Sequence, residues 1–464
     1  MRRLGLFVVV TALCSTTAWT QTPEQRLQAW RAQNDFVQRM LGATYDDQTA
    51  VAADTIEPVS TAPTTHKLHT ATAQLHLDGT THSRLTSGNA LRLLQNSASA
   101  KVKFKLVDDA KDTLFVTALM FHCDKGGKAL ARRLKRAVRR GVDVRLVVDG
   151  VGAWAGVGCF QDLQKAGIQV VVSARSLAPT TVDWEMHDKL FIQDGKRAVV
   201  GGQNLGSWYF DANGTDDNYR DTDVFVEGPV VRDIARRFVR IWQEQQPLDA
   251  SLERYVRQLQ ELDVQDALAH NVGQANYADW LKRDNGRGVC RFVSQDPHKD
   301  TFHVFNAYTY LVQHSQRRVI FHALSPEPTG SAQQERLRDL LVRLAARKTA
   351  RVDVITNGPG LLRTKAMPPQ LGSWFGSSFL SKTYEGFKDS NVRVYAYRSY
   401  IHSKVFAFDD AAVAIGSFNY DQSGVRCQES ALICFDPDLI ADVDKMFATD
   451  LGNSTHVPFA ALPR

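Results

Sequence analysis

His187-Asp188-Lys189-Leu190-Phe191-Ile192-Gln193-Asp194 is followed by Gly201-Gly202-Gln203-Asn204, and His402-Ser403-Lys404-Val405-Phe406-Ala407-Phe408-Asp409 by Gly416-Ser417-Phe418-Asn419. In each stretch Lys follows His by two, Asp follows Lys by five and Asn follows His by 17. With average residue usage, one such match in a chain this long is expected by chance on the order of 10⁻⁴ times. Two matches exclude chance and divide the chain into related halves. Both segments read as strands: Leu190 and Ile192 alternate with Phe191, and Val405 and Ala407 with Phe406 and Phe408. Side chains at i and i+2 of a strand share a face, so His187 projects with Lys189 and His402 with Lys404. Asp194-Gly195 and Asp409-Asp410 are turn signals, and the strands expected over Ala198–Val200 and Ala411–Ile415 return to deliver Asn204 and Asn419 beside the same site.

Working outward, the order of elements repeats as well. The patterns predict a helix over Gly88–Ala110, a strand over Leu114–Phe121, a basic helix over Lys128–Arg140 and a strand over Val142–Val148. A second series follows with a helix over Phe302–Gln316, a strand over Arg318–Leu324, a helix over Gln333–Arg347 and a strand over Val352–Ile355. Strand–helix–strand order implies parallel units with right-handed crossovers. Two such units predict an α/β protein of two pseudo-twofold-related lobes, each a mixed sheet flanked by helices, with one site at their interface. Residues 251–286 carry a helical pattern with Tyr255, Leu259, Leu262, Ala267 and Trp280, which reads as a connector. The expected division is 1–18 leader, 19–86 N-terminal helix and linker, 87–250 first lobe, 251–290 connector and 291–464 second lobe.

A chain of 464 residues suits two domains of roughly 150–200 residues plus extras. With 44% hydrophobic and 23% charged residues it has the composition of an ordinary globular protein. The net charge of +6 fits work on anionic phosphodiesters or at an anionic membrane surface, and equally an ordinary basic protein; it is far from a nucleic-acid coat. Arg2-Arg3, an apolar run from Leu4 to Cys14 and the small residues Thr16, Thr17 and Ala18 have the order of a signal peptide, with cleavage expected after Ala18 and export to the periplasm or medium. Cys14 offers a lipoprotein alternative, opposed by Leu13 where a small residue is wanted. Leu27, Trp30, Phe36, Val37, Met40 and Leu41 form a helical stripe that docks on the body or lies on a membrane surface. Tyr45–Thr65 has no period and reads as linker. No other stretch approaches 18 uninterrupted apolar residues, so no membrane span is expected after cleavage. Cys123, Cys159, Cys290, Cys427 and Cys434 show no zinc-site spacing. Export permits a disulfide, for which Cys123 and Cys159 are candidates, while buried free thiols remain the other reading.

The residue types suit phosphodiester chemistry, which needs a nucleophile, neutralised non-bridging oxygens and a proton for the leaving alkoxide. Lys189 and Lys404, with Asn204 and Asn419, can hold those oxygens. One imidazole can attack phosphorus and the other can act as acid and then base. The two rings need different proton affinities, hence each its own orienting carboxylate. Asp221 follows the first motif and Glu429 the second; Asp223 is a rival to Asp221. Asp194 and Asp409 are expected to brace their turns. No metal or other cofactor is implied, because the lysines already supply positive charge.

The double HxK(x)₄D(x)₆G(G/S)xN signature, including Gly202 and Ser417 at its G(G/S) position, resembles that of the two-motif members of the phospholipase D superfamily. Met186–Phe210, Arg220–Val231 and Ile415–Asp421 are similar to the corresponding runs of bacterial cardiolipin synthases that lack transmembrane anchors. The resemblance covers roughly residues 87–450. It implies transfer of a phosphatidyl group to an alcohol through a phosphohistidine, with His187 as nucleophile and His402 as general acid and base. It also implies Asp221 and Glu429 as the carboxylates holding the histidines, and phospholipid substrates such as phosphatidylglycerol and phosphatidylethanolamine. A peripheral, monomeric protein at a membrane surface is expected, without nucleic acid. Where the family commonly shows Asp-x-Arg-Ser, this chain has Asp421-Gln422-Ser423. Hydrolysis to phosphatidic acid by an exported phospholipase D is the alternative, followed by a nuclease and a non-catalytic lipid binder. Gly358–Gly386, with Trp374, Phe375, Phe379 and Tyr384, reads as a lipid-access lip or an ordinary surface excursion.

Overall fold

Runs such as Leu114-Phe115-Val116 and Val319-Ile320-Phe321 carry apolar side chains on both faces, and strands of that kind are stable only with layers on either side. The computed structural model describes residues 66–150, 152–173, 186–210, 218–282, 285–325, 331–357 and 386–457. The leader expected at 1–18, the stripe within 22–42, the Tyr45–Thr65 linker and all of the aromatic loop before Gly386 lie outside the described residues.

Among the described residues, the first lobe contains β1 (Ala90–Gln95), β2 (Thr113–Ala118), β3 (Asp143–Asp149), β4 (Gln169–Ser173), β5 (Leu190–Gln193), β6 (Arg197–Gly201) and β7 (Thr222–Glu227). The second contains β8 (Cys290–Gln295), β9 (Arg318–Ala323), β10 (Arg351–Asn357), β11 (Arg393–Tyr397), β12 (Val405–Phe408), β13 (Ala412–Gly416), β14 (Glu429–Cys434) and β15 (Ser454–His456). The sheet orders are β1-β7-β6-β5-β2-β3-β4 and β8-β14-β13-β12-β9-β10-β11-β15. Strand for strand the second repeats the first and adds one edge strand. In both, the parallel trio (β2, β3, β4; β9, β10, β11) meets an antiparallel partner carrying the motif, β5 or β12. The bilobal α/β reading therefore holds.

Helices Ser97–Asp109, Lys125–Arg139 and Val157–Lys165 pack with the first sheet's outer core, which includes Val116, Leu130, Leu146 and Leu163. Between the sheets lies one continuous apolar cluster. It takes Phe115 and Ile192 from one lobe, Ile320 and Ile415 from the other, and Phe238, Trp242, Val443 and Phe447 from helices Val231–Gln243 and Pro437–Gly452. Burying such side chains is worth about 1.5–3 kcal/mol each, so this shared layer sets the two motifs face to face. Among the described residues no helix is long and apolar enough to cross a membrane.

Gly88–Ala110 is not one helix. It divides into β1, a left-handed turn at Asn96 (φ 50°) and helix Ser97–Asp109. β1 is an edge strand paired antiparallel to β7 from Ala90↔Glu227 to Gln95↔Thr222, a long-range partner invisible to local periodicity. A further helix, Ala71–Thr81, starts at Thr70, whose Oγ1 accepts from Ala73 N at 3.2 Å. It packs against helix His303–His314 of the second lobe. Cys123 and Cys159 form a disulfide with a Cα–Cα distance of 5.5 Å, while Cys290, Cys427 and Cys434 are buried and outside any disulfide among the described residues.

Candidate active site

The segments that lead into the two motif strands cross over between the lobes. Met186 bridges to Gln428 beside β14, and His187 N donates to Gln428 O at 3.0 Å. Arg220, beside β7, bridges to Ile401, and His402 N donates to Arg220 O at 2.8 Å. These backbone pairs bring each histidine to the carboxylate of the opposite lobe. His187 Nδ1 lies 2.9 Å from Glu429 Oε1, and His402 Nδ1 lies 2.8 Å from Asp221 Oδ2. Asp221 follows the first motif and Glu429 the second along the chain; in space the pairs are exchanged.

The G(G/S) positions explain how those carboxylates fit. A Cβ on Gly202 would stand 2.4 Å from Asp221 Oδ1, so only glycine leaves room for that side chain. At the matching place Ser417 keeps its side chain, and its Oγ donates to Glu429 Oε2 while accepting from Ser430 N at 3.0 Å. Asp223 stands apart from both histidines. It binds Lys103 Nζ at 2.8 Å, Gln203 N at 3.1 Å and the Ser99 hydroxyl, as a buried structural charge.

Lys189 Nζ donates to His187 O at 2.7 Å and Lys404 Nζ to His402 O at 2.6 Å. Lys404 Nζ also lies 3.2 and 3.3 Å from the two ring nitrogens of His402. His187, His402, Lys189 and Lys404 are only 4%, 7%, 5% and 1% exposed, so little water screens them. Burial, then the neighbouring Lys404, lowers Lys189 to about 8. Lys404 is lowered by burial against the pull of Asp221 and Glu429. Burial and Lys404 lower His402 to about 4, opposed by Asp221. Asp221 itself falls below the ordinary carboxylate range, because His402, Lys404 and the Thr222 N–H outweigh its burial. An ionised Asp221 accepts the hydrogen bond of Nδ1–H and so leaves the lone pair on Nε2 of His402.

The other pair differs. Burial, Lys189 and Lys404 push His187 well below its ordinary value. Burial raises Glu429 well above the carboxylate range. Burial thus favours the neutral form of both partners of the 2.9 Å contact between His187 and Glu429.

Asn204 Oδ1 accepts from Met120 N at 3.1 Å, and its Nδ2 donates to Tyr209 Oη at 3.1 Å. Asn419 Nδ2 donates to Ser423 Oγ at 3.1 Å, leaving Asn419 Oδ1 buried without a hydrogen bond. The motif aspartates sit at the far ends of β5 and β12. Asp194 accepts from the backbone of Lys111, Asp112 and Thr113, and Asp409 from that of Gln316, Arg317 and Arg318 at 2.7–2.8 Å. Each fixes the start of its lobe's central strand, β2 or β9. Among the described residues no group of three or more His, Cys, Asp or Glu side chains is placed to hold a metal ion.

Sequence reading missed four contributors. Arg237 binds Asp188, between His187 and Lys189, through Nε at 3.2 Å and Nη2 at 2.6 Å, fully inside the protein. Tyr209 and Tyr219 flank the His402 ring at 5.3 and 6.4 Å between centroids, and Tyr400 lies 4.4 Å from Tyr219. An arginine at a buried helix position and tyrosines just after the first motif or just before the second were the available signals.

Comparison with known proteins agrees with this geometry. The family described as "Cardiolipin synthase, PLD-like domain" matches residues 104–242 and 314–451, one segment in each lobe. Cardiolipin synthase A of Pseudomonas entomophila (strain L48) is 26% identical over 379 residues, 80% of this chain and 70% of that protein. Cardiolipin synthase of Clostridium perfringens (strain SM101 / Type A) is 23% identical over 361 residues, 76% of this chain and 68% of that protein. Among solved structures, phosphatidylserine synthase of Haemophilus influenzae Rd KW20 superposes with a TM-score of 0.57 at 14% identity, covering 83% of this chain and 92% of the other, which is a likeness of fold. With both motif-bearing halves matched, the chain belongs to the cardiolipin synthase, PLD-like domain family of the phospholipase D superfamily.

Proposed function

We propose that the protein is a phosphatidyltransferase that moves a phosphatidyl group from a phospholipid to an alcohol through a phosphohistidine. The observation that carries this reading is the pair of crossed histidine–carboxylate contacts around two buried lysines. A phosphodiester monoanion between Lys189 and Lys404 offsets the charges that depress both rings. His402, still facing ionised Asp221, regains proton affinity and serves as the acid. His187, depressed by burial and backed by a carboxyl whose ionisation burial opposes, stays neutral and serves as the nucleophile.

In the first step a lone pair of His187 forms the P–N bond as the P–O bond to the head-group alcohol breaks, and His402 protonates that oxygen. In the second the acceptor hydroxyl gives its proton to His402, its oxygen bonds to phosphorus, and the P–N bond breaks. Phosphatidylglycerol and phosphatidylethanolamine are the proposed substrates, and a peripheral site of action on an exported protein is the proposed setting. The relatives' names support transfer over hydrolysis.

Product analysis tests this. Protein incubated in EDTA with phosphatidylglycerol, with or without phosphatidylethanolamine, is expected to form cardiolipin and free glycerol or ethanolamine, and His187→Ala protein nothing. Phosphatidic acid with free head group would establish hydrolysis instead. Absence of any lipid product would refute the lipid reading.

A further inference from the structure

A cavity of about 600 Å3 lies among helix Val231–Gln243, β8 and the turn Thr81–Arg84, and no residue of either HxK pair lines it. Five cations face it, Arg84, Arg236, Arg237, Arg240 and Lys299, with the carboxylates of Asp233, Glu244, Asp263 and Asp296, and Asp188 stands behind Arg237 as a fifth. Arg84 and Arg236 both bridge Asp233 and Asp263, Arg237 takes Asp188, and Lys299 takes Glu244. Among the described residues Arg240 alone of the five forms no ion pair; its Nη2 donates to Ser294 Oγ at 3.2 Å. His82 and His303 also face the cavity, with ring centroids 4.9 Å apart. Nδ1 of His303 is buried without a hydrogen-bond partner. The cavity thus combines a guanidinium without a direct ion pair, a buried ring nitrogen lacking a partner, and volume far beyond that of a bare ion.

We propose that this cavity binds a phosphomonoester group, with Arg240 as its principal contact and His303 beside it. A guanidinium fork matches phosphate oxygens two at a time, and the hydroxyl of Ser294 already lies in the same wall. The volume admits the glycerol or head-group portion that a phosphomonoester carries. Two hydrogen-bonded paths connect the cavity wall to the first motif. Arg237 reaches Asp188. Gln428 Nε2 donates to Glu244 at 3.0 Å and Asp296 at 3.1 Å, while the backbone carbonyl of Gln428 accepts from His187 N.

Binding is measured on Lys404→Gln protein, which weakens phosphate capture between the motif lysines and needs no turnover. Calorimetric titration with inorganic phosphate and with glycerol 3-phosphate is run beside sedimentation with phosphatidylcholine vesicles containing phosphatidic acid. The expected result is saturable binding in at least one arm, weakened about tenfold or more by adding Arg240→Gln and partly restored by Arg240→Lys. Binding in the soluble arm identifies a water-borne phosphomonoester, and Arg240-dependent binding to vesicles alone identifies a lipid head group. Thermal melting of each variant checks the fold, and His303→Gln is the second variant should Arg240→Gln melt early. Absence of binding in every arm, or binding unchanged by both variants, would overturn the proposal.

Discussion

The two histidine–carboxylate pairs occupy matching places in matching sheets and hold their protons differently. On one side a short Asp221 fits against Gly202, receives the Thr222 N–H at 2.8 Å and stays ionised beside His402. On the other a longer Glu429 meets the Ser417 hydroxyl and is raised by burial, and its partner His187 is lowered by burial and both lysines. The carboxylates differ by one methylene and the residues at the G(G/S) position by a hydroxymethyl group, while Tyr209 and Tyr219 flank His402. A duplicated scaffold therefore does not imply duplicated surroundings: the two identical rings face different proton acceptors, which is the basis of the roles proposed for them.

The sharpest test of that contrast removes the rings themselves. His187→Ala and His402→Ala should each reduce turnover by about 10⁴-fold or more. After a brief pulse with labelled lipid, His402→Ala should retain covalent label that His187→Ala cannot form. Label on the His187→Ala protein instead would reverse the assignment. Next come the carboxylates. Asp221→Asn removes a charge and is expected to cost about 10³-fold in kcat, whereas Glu429→Gln replaces a group already inclined to stay neutral and should cost about tenfold. Equal losses would erase the distinction between the pairs.

A smaller effect concerns pH. Lys189, lowered to about 8, is charged below that value and neutral above it, so kcat/KM should fall above about pH 8. Lys189→Arg, which keeps its charge, should remove that limb even if its maximum is lower. The smallest contrasts the motif aspartates. Asp409 accepts a hydrogen bond from His66 Nε2 at 2.7 Å, whereas Asp194 takes Gln193 Nε2 at 2.6 Å from its own strand. His66→Ala should lower stability by about 1 kcal/mol, read as a lower Tm, with little change in kcat.

Much of the site was legible because its spacing is local. The i, i+2 rule places His187 with Lys189 and His402 with Lys404, and a strand–turn–strand return carries Asn204 and Asn419 back toward them. The repeated strand–helix–strand order also gave the two lobes. Contacts between distant segments were not legible. Which carboxylate serves which ring depends on the Met186–Gln428 and Arg220–Ile401 bridges, and no local pattern records them. β1 was misread as helix for the same reason, since its identity as a strand comes from β7. The Arg237–Asp188 pair escaped because a charge inside an apolar helix face becomes interpretable only once its partner is known.

The exchange of carboxylates also orders events during synthesis. A ribosome that has made the first motif, Asp221 and all of β7 has produced a histidine without its acid and an acid without its histidine. His402 must be added before Asp221 has a ring to hold, and Glu429 before His187 has a carboxyl. Each half of the nascent chain thus withholds what the other requires, and the chemistry can begin only after nearly the whole protein has been made and its lobes have closed on each other.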